Sequence, residues 1–281
     1  MTSVELPVLD RPSRDVELAI HRLYQKLAVC ESLRPTAEVD ALFQELVGIV
    51  VDTPCACAAR VMADPIVQAL QPRLHDLCAR GEFELESAWA QRVVAHAAPR
   101  SELARFPYYE NYRKLSRLER CGIESVSDRP TRVAFAGAGP LPLSVLLLAE
   151  DTGATVDGID RDEQAIVHAR RLAEAVGSQG VRFLQGDIEH HQDLDGYDLV
   201  VLAALVGTTP VAKRRIVQRL GRRMAPGALL VVRSAHAMRT LLYPPLPVED
   251  FAPFDLLTVI HPYSEVINSV AIARLPDRRI G

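Results

Sequence analysis

The sequence lacks the charge excess, the leader and the apolar runs that mark several common classes of protein. It has 32 lysines and arginines against 36 aspartates and glutamates, a formal net charge of −4. Nucleic-acid-binding proteins need a basic surface, so this balance argues against a nucleic acid partner. The sequence has neither a basic-then-apolar leader nor an uninterrupted apolar run of membrane-spanning length. We therefore expect no membrane association.

Cysteine is scarce as well, and the five are Cys30, Cys55, Cys57, Cys78 and Cys121. An odd number without a leader predicts reduced thiols and a cytoplasmic protein. Cys55 and Cys57 lie two positions apart, but no second pair or nearby histidine completes a metal site. We therefore predict no metal site.

The hydrophobic pattern changes near residue 125. Residues 1–13 contain two prolines and no periodic pattern, and this composition predicts a loose arm. Apolar residues then recur at helical spacing, with no strand-like alternation before residue 130. This pattern predicts helices at 16–33, 37–51, 57–64, 65–80, 83–97 and 102–120. A polar stretch that ends at Pro130 marks the boundary, so we predict a helical domain at 1–125 and a second domain at 126–281.

The second domain begins with a strand, a glycine turn, a helix and another strand. The short apolar run at 133–135 leads directly into Gly137 and Gly139, and the next strand ends on Asp160. Glycine lets the backbone turn tightly and approach a ligand, and a helix N-terminus offers free N–H groups. An acid at the tip of the next strand can accept both hydroxyls of a ribose. This order predicts a nucleoside site.

The third glycine of the dinucleotide fingerprint is missing, and Pro140 and Leu141 follow the turn instead. This absence argues against a pyrophosphate cradle and favours a ligand with an amino-acid head and a nucleoside tail, such as S-adenosylmethionine (SAM). Asp187 can accept a bond from an adenine amino group, although an N-cap or turn role is equally open. A βαβ unit without a ligand is the other alternative. We predict SAM contacts from Gly137, Ala138, Gly139, Pro140, Asp160, Asp187, Ile188 and Ala203.

The remaining pattern predicts an α/β sheet with strands at 132–136, 154–159, 181–184, 197–203, 228–233, 255–260 and 265–274. Helices are predicted between the earlier strands, at 141–151, 161–176 and 210–224. The last two strands have no helix-length segment between them, which predicts an antiparallel pair at one edge. The predicted fold class is therefore α/β, a Rossmann-like class I SAM-dependent transferase domain preceded by an all-helical N-terminal domain.

Three of the seven tyrosines, Tyr108, Tyr109 and Tyr112, fall within five positions. Tyr108 and Tyr112 share a helix face, where tyrosine supplies an apolar wall and a hydroxyl. Core packing explains that spacing as well as a functional site does. Glu82 and Glu86 share the face of an earlier helix, where acids usually serve the helix dipole.

Several motifs together resemble the nicotianamine synthase family. They are F-P-Y-Y-E-N-Y at 106–112, V-A-F-A-G-A-G-P-L-P-L-S at 133–144, L-A-A-L-V-G at 202–207, R-S-A-H at 233–236 and H-P-Y-S-E-V-I-N-S-V at 261–270. The resemblance covers the chain from about residue 80 to about residue 275, and it implies a helical bundle on a Rossmann-like SAM domain.

The resemblance implies transfer of a 3-amino-3-carboxypropyl (aminobutyrate) unit from SAM to an amine, with release of 5′-methylthioadenosine. SAM is then a co-substrate, and no metal is required. The attacking nitrogen must be neutral, so a nearby base is needed. By resemblance, that base is Glu86, and its partner is Tyr108, with Tyr109 and Tyr112 as close rivals. We predict further substrate contacts from Tyr109, Asn111, Tyr112, Arg233 and His236.

The acceptor is the open question. The alanine- and arginine-rich composition and the short helical domain are similar to a bacterial branch of the family. Enzymes of that branch transfer one unit to histidine, and a separate opine dehydrogenase completes an opine-type metallophore. We predict free histidine as the acceptor, of either stereochemistry. The alternative is a nicotianamine synthase that condenses several SAM molecules. A methyltransferase and a SAM-binding module without activity are further alternatives, and a homodimer is left open.

Overall fold

The computed structural model describes residues 11–192 and 194–277 of the chain. The predicted arm lies outside these residues, except that residues 11–13 begin the first helix. The described chain is helical before the first strand, which confirms the all-helical character predicted for this part. The helices are α1 (Arg11–Ala28), α2 (Ala37–Asp52), α3 (Cys55–Ala63), α4 (Pro65–Ala95), α5 (Pro99–Leu103) and α6 (Tyr109–Glu124).

Helix α4 corrects the prediction of two helices at 65–80 and 83–97, because it runs unbroken for 31 residues. The predicted break fell beside Gly81, a residue that normally costs a helix about 1 kcal/mol. In the structure Gly81 is a packing requirement, since a Cβ there would lie 2.4 Å from Cζ of Phe43 on α2. Tertiary packing therefore outweighs local propensity, and the first turn is capped by the side chain of Asp64.

The sheet has seven strands in the order β3-β2-β1-β4-β5-β7-β6. Strands β1 to β5 are parallel, whereas β7 is antiparallel to both β5 and β6. This arrangement confirms the predicted class I fold and its antiparallel pair at one edge. The strands are β1 (Arg132–Ala136), β2 (Thr155–Asp160), β3 (Val181–Gln185), β4 (Leu199–Leu202), β5 (Leu229–Ser234), β6 (Asp255–Ile260) and β7 (Ser269–Arg274).

Helices lie against the sheet, and the order of the strands indicates where a ligand would bind. They are α7 (Leu143–Thr152), α8 (Glu163–Ala175) and α9 (Pro210–Leu220), with 3₁₀ turns at Ala237–Leu241 and Val248–Phe251. The chain leaves β1 towards β2 on one side and later returns to place β4 on the other side. In open α/β sheets a crevice forms at the carboxyl ends of the strands where the order reverses. The functional site is therefore expected beyond β1 and β4.

Two hydrophobic clusters contain residues from both sides of the boundary predicted at residue 125. Ala90 and Val93 of α4 and Leu115 of α6 are buried in the same cluster as Phe135 of β1. In return, Leu241 of the first 3₁₀ turn is buried in the cluster formed by α1 to α4. These contacts hold α4 over the strand ends. The division into domains at 1–125 and 126–281 stays a prediction.

No single described helix is long and apolar enough to cross a membrane. Helices α2 and α3 meet that criterion only as a pair, and the chain bends by 114° between them. All five cysteines are free thiols.

Candidate functional site

A cavity of about 560 Å³ lies between the carboxyl ends of the parallel strands and helices α2, α4 and α6. The strand ends supply one wall through the segments that follow β1 to β4, and the helices supply the opposite wall. The structure brings most of the predicted site residues together around this one space. They are Glu86, Tyr108, Asn111, Tyr112, Gly137, Ala138, Gly139, Pro140, Asp160, Asp187, Ile188, Ala203 and Arg233.

The glycine turn after β1 needs glycine for both conformation and space. Gly137 and Gly139 have φ of +81° and +68°, in the left-handed region that other residues rarely occupy. A Cβ on Gly137 would lie 2.6 Å from Cγ2 of Val206. A Cβ on Gly139 would lie 2.5 Å from Oε2 of Glu86. The turn is therefore in direct contact with α4.

Asp160, at the end of β2, is fixed beside the same turn. Its Oδ2 accepts a hydrogen bond from the N–H of Gly139 at 3.0 Å, and its Oδ1 accepts one from the N–H of Asp162 at 3.0 Å. Each carboxylate oxygen has a further lone pair. Asp160 can therefore still accept hydrogen bonds from a pair of hydroxyls in the cavity.

Asp187 and Ile188 follow β3 and line the cavity beside Asp160. Oδ1 of Asp187 accepts a hydrogen bond from the N–H of Glu189 at 2.8 Å, which is the turn role left open above. Its side chain is still 44% exposed, so a ligand can reach the carboxylate. Ile188 is buried and presents an apolar surface, and Ala203 after β4 lines the cavity next to Gly137.

Glu86, which is buried, and Tyr112, which is partly buried, form an acid–phenol pair in the cavity. The hydroxyl of Tyr112 on α6 donates to Oε1 of Glu86 on α4 at 2.9 Å, and the backbone N–H of Leu141 also hydrogen-bonds this carboxylate. Burial, then the nearby charge of Glu82, raise the pKa of Glu86 well above its usual range, although these hydrogen bonds oppose the shift. A carboxylate with a raised pKa is a stronger base than an exposed one.

The other tyrosines have different surroundings. Tyr108 lines the cavity and packs edge-to-face on Phe106, with 5.8 Å between the ring centroids. Tyr109 lies outside the lining and packs against the hydrophobic cluster on one face of the sheet. Asn111 lines the cavity, and its Nδ2 donates to the carbonyl oxygen of Glu265 at 2.6 Å. Tyr108 and Tyr112 therefore both line the cavity and both pack edge-to-face on Phe106, whereas Tyr109 lies outside the lining.

Arg233 and His236 are both engaged with protein groups. Both guanidinium edges of Arg233 are held, by the carboxylate of Glu119 at 2.6 and 2.9 Å and by Oγ of Ser144 at 2.8 Å. The carboxylate that binds Arg233 through two hydrogen bonds is therefore that of Glu119 in the same chain. His236 lies outside the cavity lining, where its Nδ1 hydrogen-bonds Oγ of Ser269 at 2.9 Å. The structure does not bring His236 or Tyr109 to the cavity.

Three residues that the sequence analysis did not assign belong to this region. Glu82 and Tyr243 line the cavity, and their only signals were the spacing of Glu82 from Glu86 and the position of Tyr243 after the R-S-A-H motif. Lys213 on α9 is fully buried. Its Nζ donates to the carbonyl oxygens of Ala204 and Arg233 at 2.6 and 3.3 Å, which ties the ends of β4 and β5 together. No sequence pattern marks that lysine.

Metal ligation is not indicated around the cavity. Within residues 11–192 and 194–277, no group of three or more His, Cys, Asp or Glu side chains has a geometry that would hold a metal ion.

Comparison with known proteins gives a consistent family assignment. A family model described as nicotianamine synthase protein matches residues 13–278. Nicotianamine synthase 9 of Hordeum vulgare is 45% identical over 255 residues, which cover 86% of this chain and 74% of the relative. Nicotianamine synthase 2 of Oryza sativa subsp. japonica is 43% identical over 270 residues, which cover 92% of this chain and 82% of the relative.

Solved structures show the same fold. A mutant of MtNAS has a TM-score of 0.83 at 23% identity, over 96% of this chain and 100% of that chain. MtNAS in complex with MTA and tNA has a TM-score of 0.81 at 24% identity, over 95% of this chain and 99% of that chain.

The buried lysine predicts a pH dependence of stability. Burial lowers the pKa of Lys213 from its ordinary 10.5 to about 7. Between these values the unfolded chain binds more protons than the folded chain, so the free energy of unfolding should rise with pH across this window. The contribution is up to about 1.4 kcal/mol per pH unit. Below about pH 7 the lysine is charged in both states, and the slope should vanish.

Urea denaturation between pH 7 and pH 9 checks this prediction. Lys213→Met should lose that part of the slope, whereas Lys26→Met, which changes an exposed lysine on α1, should retain the slope of the unsubstituted protein. Parallel slopes for the two variants would contradict the prediction.

Proposed function

The chain belongs to the nicotianamine synthase family, whose members are SAM-dependent aminocarboxypropyl-transferring enzymes, and we propose that it joins several such units from SAM into a nicotianamine-type product. The observation that carries the proposal is the contact of Glu86 with the glycine turn. It puts a buried base against the segment where SAM would bind. The names of the curated relatives support the same activity.

In this proposal the strand ends hold SAM. The glycine turn, Gly137 to Pro140, faces the methionyl part, and Asp160 accepts hydrogen bonds from the ribose hydroxyls. Asp187 accepts from the adenine amino group, while Ile188 packs on the ring. The positions of these residues around one cavity support this placement. A MtNAS mutant solved in complex with S-adenosylmethionine has the same fold, with a TM-score of 0.80.

The proposed reaction needs a neutral amine and a defined line of attack. The amine lone pair attacks the methionyl methylene carbon bonded to the sulfonium, and the carbon–sulfur bond breaks with its electron pair going to sulfur. The products are 5′-methylthioadenosine and an ammonium, whose proton passes to Glu86. Because the sulfonium has three attackable carbons, the position of the amine decides which one reacts. The raised pKa of Glu86 brings the base closer to the strength that this proton transfer requires.

We assign the tyrosine partner of Glu86 to Tyr112 rather than to Tyr108, which the sequence analysis favoured. The hydrogen bond from Tyr112 to Oε1 of Glu86 supports this assignment. Tyr108 is placed at the cavity wall, where its ring shapes the space beside the reacting centre.

The acceptor predicted from the sequence was histidine, with one transfer followed by an opine dehydrogenase. The names of the relatives favour the alternative, in which SAM supplies every unit. Histidine was predicted from the alanine- and arginine-rich composition and the short helical domain, and neither property describes the lining of the cavity. Histidine as acceptor, the dehydrogenase partner, a homodimer and a cytoplasmic location stay predictions.

Mass spectrometry of the purified protein tests the proposal directly. Incubation with SAM alone should yield 5′-methylthioadenosine and a product with more than one aminocarboxypropyl unit. Parallel incubations contain L-histidine or D-histidine. A single-unit histidine adduct that replaces the SAM-only product would overturn the choice of acceptor, and S-adenosylhomocysteine would overturn the reaction.

Replacement of the proposed base should separate catalysis from binding. Glu86→Gln keeps the side-chain volume but removes the base, so methylthioadenosine release should fall by about 100-fold or more. The Kd for SAM, measured by calorimetry, should change little in comparison. Glu84→Gln on the same helix is the matched control, because Glu84 lies outside the cavity lining. Normal turnover in Glu86→Gln would refute the role of Glu86.

The two tyrosines should differ in their effect on the pH–rate profile. Tyr112 lowers the pKa of Glu86 through its hydrogen bond, so Tyr112→Phe should raise that pKa further. Since the base acts when ionised, the acidic limb of the profile should move to higher pH, and the rate near neutral pH should fall roughly five- to tenfold. Tyr108→Phe should move that limb less. The reverse order would return the role to Tyr108.

A further inference from the structure

A second acid–phenol pair lies beside the first in the same cavity. Glu82 precedes Glu86 by one helical turn on α4, and its Oε2 accepts a hydrogen bond from the hydroxyl of Tyr243 at 2.9 Å. Tyr243 follows the 3₁₀ turn at Ala237–Leu241, so the two pairs are held by different parts of the chain. Both Glu82 and Tyr243 line the cavity. The mechanism described above does not use either residue.

The charges at these pairs favour a cationic ligand. The hydrogen bonds described for Glu82 and Glu86 come from phenols and a backbone N–H, which are neutral donors. Burial raises the pKa of Glu82, and the hydrogen bond from Tyr243 and then the charge of Arg233 oppose that rise. The side chain of Arg233 is itself bound to Glu119 and Ser144. An ammonium group in the cavity would therefore meet the partly buried Glu82 and the buried Glu86, whose described hydrogen-bond partners are neutral.

The spacing of the pairs matches the spacing of amines in the proposed product. Residues four apart on a helix have Cβ atoms about 5–6 Å apart on the same face. An aminocarboxypropyl unit places three carbons between the nitrogen that it alkylates and its own amine. With standard bond lengths these two nitrogens are about 5 Å apart when extended. One helical turn of α4 therefore corresponds to one unit of the product.

We propose that Glu82 and Tyr243 form a second amine site. This site binds the nitrogen that was alkylated in the preceding transfer, while Glu86 acts on the primary amine of the newly added unit. This inference rests on the proposed function. After each transfer the chain advances by one unit, so the newly alkylated nitrogen moves from Glu86 to Glu82. The primary amine of the new unit then takes its place at Glu86. Glu82 is thus a positioning residue that allows a second transfer.

The cavity has room for the part of the product that has already passed this site. Its lining also includes Asp40 and Gln44 on α2. Burial, then the charges of Asp40 and Glu82, raise the pKa of the Tyr108 hydroxyl, so both carboxyl groups lie near this tyrosine. The growing chain can therefore extend past Glu82 into the part of the cavity that α2 lines.

The test is the distribution of product lengths formed from SAM alone. Glu82→Gln keeps the shape of the side chain but removes the charge that binds an ammonium. The ratio of multi-unit to single-unit product, measured by mass spectrometry, should fall at least about tenfold, since a charged hydrogen bond is worth roughly 1.5–3 kcal/mol. Tyr243→Phe should shift the ratio in the same direction. Glu84→Gln, which is outside the cavity lining and lies 3.5 Å from Arg34, should keep the ratio of the unsubstituted protein.

The outcomes separate this inference from the proposed function. If the unsubstituted protein forms no methylthioadenosine from SAM, the proposed function fails and the inference fails with it. If it forms multi-unit product and Glu82→Gln forms the same ratio, only the inference is overturned. An equal slowing of every transfer with an unchanged ratio would show a purely structural role and also overturn it. If Glu82→Gln does not fold by circular dichroism, the ratio in Tyr243→Phe decides.

Discussion

The contact between the carboxylate of Glu86 and the backbone at Gly139 is the constraint on which the site depends. The carboxylate lies where a Cβ on residue 139 would be 2.5 Å from Oε2, so the turn has to be glycine and the helix has to approach it closely. Helix α4 reaches this position because it is unbroken across Gly81 and is packed on both the helical and the sheet clusters. The helical part of the chain thereby completes a site that the sheet alone would leave open.

The buried cations Arg233 and Lys213 have their own partners in the chain, so that Glu82 and Glu86 in the cavity are not paired with them. Arg233 is neutralised by Glu119, and Lys213 is held by carbonyl oxygens of the two strand ends. Glu82 and Glu86, by contrast, are held by phenol hydroxyls. Burying a carboxylate without a cation costs free energy, and a cationic substrate would recover part of that cost. The proposed donor is a sulfonium, and the proposed acceptor is an amine that becomes an ammonium. Both of these groups carry a positive charge in the reaction.

Local pattern was enough to predict the class of fold and the strand-end residues of the cavity. The run from Val133 to Asp160 specifies a strand, turn, helix and strand in order, and the structure places Gly137 and Asp160 at one wall. Local pattern failed at residues 81 and 82, where it predicted a break between two helices, whereas Gly81 continues α4 and lies close to Phe43. It also could not show that the bidentate partner of Arg233 is Glu119, which is 114 residues away in sequence.

The sequence by itself therefore determined the order of the elements and the chemistry at the turn, because hydrophobic period, glycine and the acid at a strand end are local properties. Only the tertiary structure decided which tyrosine meets Glu86, that His236 lies away from the cavity, and that Glu82 and Tyr243 form a second pair. Each of these depends on how α4, α6 and the segment after β5 pack together. Such distances are set by the whole fold, and no spacing along the chain encodes them.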